Sequence, residues 1–213
     1  MISNKIIHNL ILETIYTMIK KILFLIPLAL NFSCNEQNKN AVSDTDVKLE
    51  SIDLTNVSNE KKQLVKEIIQ FQKDIEERKM DRVAEYLDSP KRVEEIELSM
   101  QNSKIRNAIE SNSSRLSTDV IRDQFDLLYT EMDLNIIKDA LKSITENQLL
   151  ALEKVSTKVT YDSCIYDVDV QMNGKEVKFN IKSENATDEC KKDQQWKFNS
   201  NGEYLVLDRR YYL

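Results

Sequence analysis

From Asn59 the apolar positions fall at helical spacing. Leu64, Ile68, Phe71 and Ile75 are 4, 3 and 4 residues apart with Val65 and Ile69 beside them, and Lys61, Lys66, Glu67, Lys73 and Asp74 fall on the opposite, polar face. That pattern predicts one amphipathic helix. A second, short helix is expected through Met80, Val83, Ala84 and Leu87, ended by Ser89-Pro90 because proline cannot continue a helix. Residues 92–115 are polar and only weakly periodic, with Ile96, Leu98, Ile105 and Ile109 as their apolar positions and a break at Asn112-Ser113-Ser114. Helical spacing resumes with Ile121, Phe125, Leu128 and Met132, then Ile136, Ile137, Ala140 and Leu141. Thr145-Glu146-Asn147-Gln148 reads as a capping box opening a last helix through Leu149, Leu150 and Leu152.

After Val155 the period changes from 3.6 to 2. Val168, Val170 and Met172 alternate with Asp167, Asp169 and Gln171, and Asn173-Gly174 then leads into Val177, Phe179 and Ile181. Asn-Gly is a strong two-residue hairpin signal. With these two residues as the loop, Val170 meets Val177, Val168 meets Phe179 and Tyr166 meets Ile181, so apolar residues face each other. Asn201-Gly202 marks a second hairpin, pairing Phe198 with Leu205 and Trp196 with Leu207. Residues 155–161 alternate in the opposite phase to residues 168–172, and a bulge or bend is expected near Asp162-Ser163. The fold class is therefore α+β: N-terminal helices (59–153) packed on a C-terminal antiparallel β-meander (155–213) of two Asn-Gly hairpins. In outline this topology resembles the NTF2-like and cystatin-like folds, though no motif carries the likeness.

The chain before Asn59 is of another kind. Met18-Ile19-Lys20-Lys21 is a short basic head, residues 22–30 are an apolar run, and Asn31-Phe32-Ser33-Cys34 closes it with a small residue before a cysteine. The run is shorter than the roughly 20 residues a membrane-spanning helix needs, so the layout is that of an export signal. It resembles the signal peptides of bacterial lipoproteins, with Asn31 standing where that family usually has Leu. The resemblance covers residues 18–34 and implies that Cys34 receives a diacylglycerol and becomes the new N-terminus. Met18 is expected as the true start, residues 1–33 as a leader with residues 18–33 the signal peptide, and residues 34–58 as the lipidated cysteine with a polar tether. One α+β domain, 59–213, follows. The expected location is the cell envelope, lipid-anchored, with the membrane contacted through the acyl chains on Cys34.

Charge narrows the partners. The 213 residues carry 30 Lys+Arg, 36 Asp+Glu and one His, a formal net charge of -6. Loss of Lys5, Lys20, Lys21 and Glu13 with the leader leaves 27 basic and 35 acidic groups, a net of -8. An acidic chain lacks the basic surface that nucleic-acid phosphates demand, so no nucleic-acid partner is expected, and a charged protein partner is expected to be basic.

Scarce residues narrow the chemistry. Two glycines cannot build a dinucleotide-binding loop, a P-loop or a nucleophile elbow. His8 lies in the leader, so the exported chain has no histidine for a Ser-His-Asp or Cys-His system or for His-ligated zinc. Ser58 and Lys61 have Ser-x-x-Lys spacing without its companion motifs, and Ser58 reads as a helix N-cap. Candidate carboxylates for acid–base work are Asp162, Asp167 and Asp169, or Glu94, Glu95 and Glu97, but acid pairs are expected by chance in so acidic a chain. Asp44-Thr45-Asp46 and Asp167-Val168-Asp169 lack the glycine and distal glutamate of a calcium loop, so neither a metal nor a cofactor is expected.

Cys164 and Cys190 are an even pair in an exported chain, which suggests a disulfide. A simple meander puts them two strands apart, about 10 Å by strand spacing and beyond bonding reach. Either Cys190 lies in the loop that begins at Glu184 and folds back, or the strand order differs, or the two remain buried thiols. The C-terminal cluster Arg209, Arg210, Tyr211 and Tyr212 is the first place to look for an interaction surface, the alternative being a charged edge strand. The function expected is a non-enzymatic envelope lipoprotein whose domain binds a protein or an envelope component. The alternative is a small-ligand carrier or a carboxylate-dependent hydrolase with a pocket between sheet and helices.

Overall fold

Ser58 starts the first helix as its sequence position demands: its side chain accepts from the Lys61 backbone N–H at 3.2 Å, satisfying one donor that the helix leaves open. The computed structural model describes residues 54–98, 100–184, 190 and 192–213; the leader, Cys34 and nearly all of the tether lie outside these residues. Helix α1 (Asn59–Glu76) buries Leu64, Val65, Ile68, Phe71 and Ile75. Two residues expected on its polar face, Glu67 and Asp74, are each only 1% exposed. They flank the apolar stripe, and the packing around α1 is broad enough to cover them.

Helix α2 (Met80–Tyr86) buries Val83, Ala84 and Tyr86, and ends before Pro90 as Asp88 adopts a left-handed conformation (φ 55°). The weakly periodic stretch that follows holds a two-stranded antiparallel ribbon, β1 (Lys91–Arg92) with β2 (Arg115–Leu116), closed around helix α3 (Ser103–Glu110). Asn102 caps α3, accepting from the Lys104 and Ile105 N–H groups. The spacing from Ile121 to Met132 is divided at Gln124 into α4 (Thr118–Asp123) and α5 (Phe125–Glu131). Helix α6 (Leu134–Ser143) follows, and α7 (Glu146–Ala151) opens with the expected capping box of Thr145 and Gln148.

Five strands complete the fold: β3 (Lys154–Tyr161), β4 (Cys164–Asn173), β5 (Glu176–Ser183), β6 (Gln194–Ser200) and β7 (Leu205–Tyr212). They form one antiparallel sheet in the order β3-β4-β5-β6-β7, so the molecule is α+β with helices packed on the sheet's apolar face. Phe71 of α1 lies 5.1 Å from Phe198 and 6.3 Å from Phe179, ring centre to ring centre, and Trp196 stacks on Phe198 at 6.0 Å. All four side chains are at most 2% exposed. Truncating any one of these rings to alanine would cost about 3–5 kcal/mol.

The hairpin registers differ from those expected. Asn173 pairs with Glu176, which leaves Gly174-Lys175 as the loop, so Val170 meets Phe179 and Met172 meets Val177. Gly174, at φ +56°, supplies the turn from the first loop position while Asn173 stays in the strand. The second loop is four residues long, closed by Ser200 and Leu205. There Asn201 Oδ1 accepts from the Glu203 and Tyr204 N–H groups, both at 2.9 Å, which widens the turn. Next to its loop each register moves by two residues, which leaves the side chains there on their expected faces; farther along β7 the shift is three, and Trp196 meets Arg210 rather than Leu207.

Asp162 and Ser163 hold a tight turn between β3 and β4 rather than a bulge, both with positive φ (50° and 65°) and with Tyr161 paired to Cys164. The opposite phase of the two strands is what a two-residue loop produces, because paired positions then differ in parity. The bulge is in β7. Phe198 pairs with Leu207 and Lys197 with Arg209, which leaves Asp208 as the extra residue.

Cys164 and Cys190 are bonded, with Cα atoms 5.8 Å apart. The strands are in meander order, so the reach comes from the position of Cys190 in the long connection between β5 and β6. Among the described residues no helix is long and apolar enough to cross a membrane.

Candidate functional site

The bulge at Asp208 determines what the C-terminal cluster can do. Before it, Leu205 and Leu207 point into the core; after it, the inward positions are Arg210 and Tyr212, and the outward ones are Arg209 and Tyr211. The four residues expected as one interaction surface are thus divided between the two faces of the sheet. Arg209 is exposed, Tyr211 and Tyr212 are half-buried, and Arg210 is 1% exposed.

Arg210 is a structural residue. Its Nε donates to Gln194 Oε1 at 2.8 Å, its Nη1 to the Ile96 and Glu97 carbonyls at 3.3 and 3.2 Å, and its Nη2 to Asp133 Oδ2 at 3.3 Å and the Tyr212 hydroxyl at 3.2 Å. The guanidinium also lies over the Trp196 and Tyr212 rings, 5.2 and 4.9 Å from their centres. Gln194 completes the group, donating to Asp133 Oδ2 and accepting from Trp196 Nε1. A buried cation needs this density of acceptors to offset its lost hydration.

The same segment closes the sheet edge. Lys91 Nζ donates to the Leu207 carbonyl at 2.5 Å, and Glu97 Oε2 accepts from the Tyr212 N–H at 2.7 Å, so side chains take up main-chain groups of β7 that face away from β6. The expected charged edge strand is real, but residues 91–97 protect it from outside.

Between these residues and the outer face of the sheet lies an open cleft of about 960 Å³. Its sheet wall is formed by Lys178, Gln195, Lys197, Asp208, Arg209 and Tyr211, and its other wall by Glu94, Glu95 and Glu97. Lys178 and Lys197 both pair with Glu176, at 2.7 and 2.6 Å, and Lys197 reaches Asp208 at 3.4 Å. Those lysines hold the Glu176 carboxyl below its ordinary range. The Tyr211 hydroxyl donates to Gln195 Oε1. Arg209, Glu94 and Glu95 are in no ion pair among the described residues. The cleft therefore offers one uncommitted guanidinium on the sheet and two uncommitted carboxylates on the facing segment, while Glu97 is held by the Tyr212 N–H and the lysines by their acid partners.

The remaining candidates lie elsewhere. Asp169 is on the outer face of β4, accepting from Ser156 Oγ at 2.6 Å and pairing with Lys154 at 2.8 Å; burial raises its pKa, and these partners outweigh that and lower it. Asp167 pairs with Lys158 at 3.6 Å, and Asp162 is a turn residue. Ser58 is committed as a cap. Asp44-Thr45-Asp46 falls outside the described residues. Among the described residues no three His, Cys, Asp or Glu side chains gather as metal ligands. The reading of the sequence missed Gln195, Lys178 and Lys197 in the cleft; their outward phase on β5 and β6 was the available signal.

No protein-family model, curated protein or solved structure matches the chain.

Proposed function

We propose that this chain is a non-enzymatic cell-envelope lipoprotein, anchored through Cys34, whose α+β domain binds a protein or an envelope component at the cleft between the outer face of β5–β7 and residues 91–97. The observation that carries the reading is the pairing of a large open cleft with charges left uncommitted on both of its walls, Arg209 against Glu94 and Glu95. Such charges govern encounter and register more than raw affinity, and binding built on them weakens with salt. The lipoprotein-like residues 18–34 support the anchor, and the absence of histidine from the exported chain supports a non-enzymatic role. A carrier or hydrolase would need room between sheet and helices, where Phe71, Phe179, Trp196 and Phe198 pack instead.

Two measurements test the proposal. Intact-mass analysis of the membrane-extracted protein should show acyl chains on Cys34; a mature protein that begins elsewhere sinks the anchor. For the cleft, the immobilised full chain should retain a stoichiometric component of an envelope extract and release it along a salt gradient. Arg209→Ala and the Glu94→Gln/Glu95→Gln double variant should each weaken retention about tenfold. Retention indifferent to salt and to these variants would move binding to another surface.

A further inference from the structure

The two edges of the sheet are finished differently. At β7, Lys91 Nζ and Glu97 Oε2 take up the Leu207 carbonyl and the Tyr212 N–H. The opposite edge is β3. Asp162 and Ser163 form the two-residue loop that joins it to β4, and Tyr161 pairs with Cys164. In such a hairpin the pair that closes the loop exchanges both main-chain hydrogen bonds, and every second pair after it does the same. Val159, Thr157 and Val155 therefore turn their main chain toward β4, as does Glu153, whose carbonyl accepts from the Met172 N–H at 2.7 Å. The N–H and carbonyl groups of Lys154, Ser156, Lys158 and Thr160 point the other way. Among the described residues no partner takes these groups up, and all four side chains are exposed. The inner face of the strand is covered: Val155 and Val159 are buried, and the Ser143 hydroxyl of α6 lies 2.7 Å from that of Thr157. What β3 offers is its edge.

An open edge is completed by another strand, with main-chain bonds supplying affinity and alternate side chains supplying register. A second copy of β3 has the right length and the same open groups, and a two-fold axis sets the two strands antiparallel. Only registers that put even-numbered residues opposite even-numbered ones bring the free main-chain groups together. Charge decides among those. With Thr157 opposite its own copy, Lys154 faces Thr160, Ser156 faces Lys158 and Val155 faces Val159. About eight main-chain hydrogen bonds then form, and no two lysines are opposed. Sliding one copy by two residues sets Lys154 against Lys158 in one direction and Lys158 against itself in the other. Like charges directly opposite destabilise a strand pair.

The Thr157 register also orders the charges on the outer face. Ser156 then lies between Asp169, to which its hydroxyl donates, and the second copy's Lys158. Just before the strand, Leu152, whose carbonyl holds Lys61 Nζ at 2.9 Å, comes opposite the second copy's exposed Asp162. We propose that β3 is a homodimer edge, at which two copies of the chain pair antiparallel about Thr157. One sheet then continues across the two-fold axis, with the two β7 clefts at its far ends.

The experiment is sedimentation velocity of the full chain in density-matched detergent at up to about 100 μM, a range suited to a small interface of modest affinity. A reversible monomer–dimer equilibrium is expected. Ser156→Lys should weaken dimerisation about fivefold, because it sets a lysine against Lys158 twice in each dimer, and Ser156→Glu should tighten it by a similar factor. Effects on the monomer run the other way, since position 156 is paired with Asp169, which a lysine would attract and a glutamate repel. Register is read with cysteines. Thr157→Cys should give a covalent dimer on mild oxidation, while Ser156→Cys and Lys158→Cys should give several-fold less. A chain that stays monomeric, as it would with residues 35–53 or an envelope component on the edge instead, overturns the assignment. So does a dimer that is indifferent to both substitutions at Ser156 and is not trapped by Thr157→Cys.

Discussion

Asp74 shows how one buried residue carries a pH dependence. Burial pushes its carboxyl up, but donors from Tyr86, Lys79, Gln70 and Arg82 together outweigh that and hold its pKa below the usual carboxylate value. Burial, reinforced by the same contact, raises the Tyr86 hydroxyl well above a free tyrosine, and burial takes Tyr129 to about 12. A carboxyl whose pKa is lower in the folded than in the unfolded chain stabilises the fold at pH values above its unfolded pKa of about 4. That contribution is lost as pH falls through the folded value. Asp169 and Glu176 are shifted in the same direction and share the window. Asp74→Asn should therefore cost about 2 kcal/mol at pH 7, the scale of a hydrogen bond to a charged group. It should also flatten, without removing, the fall in stability as pH drops below the unfolded value of about 4. Urea midpoints across that range check this, and an equally steep acid fall in the variant would place the linkage elsewhere.

Among the elements, β7 carries the most information per residue. One extra residue, Asp208, turns the strand over, so that Arg210 goes inward to Asp133 and Gln194 while Arg209 faces the cleft. Deleting Asp208 would return the strand to simple alternation and leave Arg209 outward and Arg210 inward, so the test is made at Arg210 itself: Arg210→Ala removes one member of the buried Arg210–Asp133 pair. Breaking a buried charge pair typically costs about 3–5 kcal/mol, a large share of the stability of a domain this size. Arg210→Ala should lose its cooperative thermal transition, whereas Asp208→Asn, which keeps both the bulge and the buried pair, should melt within a few degrees of the parent. A cooperative Arg210→Ala variant would show that the buried pair is dispensable.

On the scale of the molecule, the helices cover one face of the meander, residues 91–97 close the β7 edge, and the disulfide ties the β5–β6 connection to the start of β4. The bond joins residues 26 apart, and closing such a loop in the unfolded chain stabilises the fold by about 3–4 kcal/mol in the entropy model. Reduction, or the Cys164→Ser/Cys190→Ser double variant, should lower unfolding free energy by about that amount and increase hydrogen exchange first in β5 and β6. Equal loss of protection throughout the sheet would show that the bond supports global rather than local stability.

Local patterns in the sequence determined much of this. Helical spacing placed α1, α2 and α6, the Thr145–Gln148 pair opened α7, and period-2 alternation put the correct side chains of β4 and β5 on the apolar face. These are interactions within a turn or between neighbouring residues, so they are written in short stretches of chain. The loop registers were off by two because Asn-Gly marks a turn without stating the loop's length or which of its positions the pair fills: Asn173 stays in its strand, while Asn201 opens a four-residue loop. The fate of Arg210, the burial of Glu67 and Asp74, and the meeting of Cys164 with Cys190 depended on residues from 12 to 133 positions away. Arg209 was legible as a candidate for an interaction surface and Glu94 and Glu95 as candidate carboxylates; the cleft that sets them on facing walls was not. Charge and burial at such positions are set by what other segments bring, and only the folded chain brings them together.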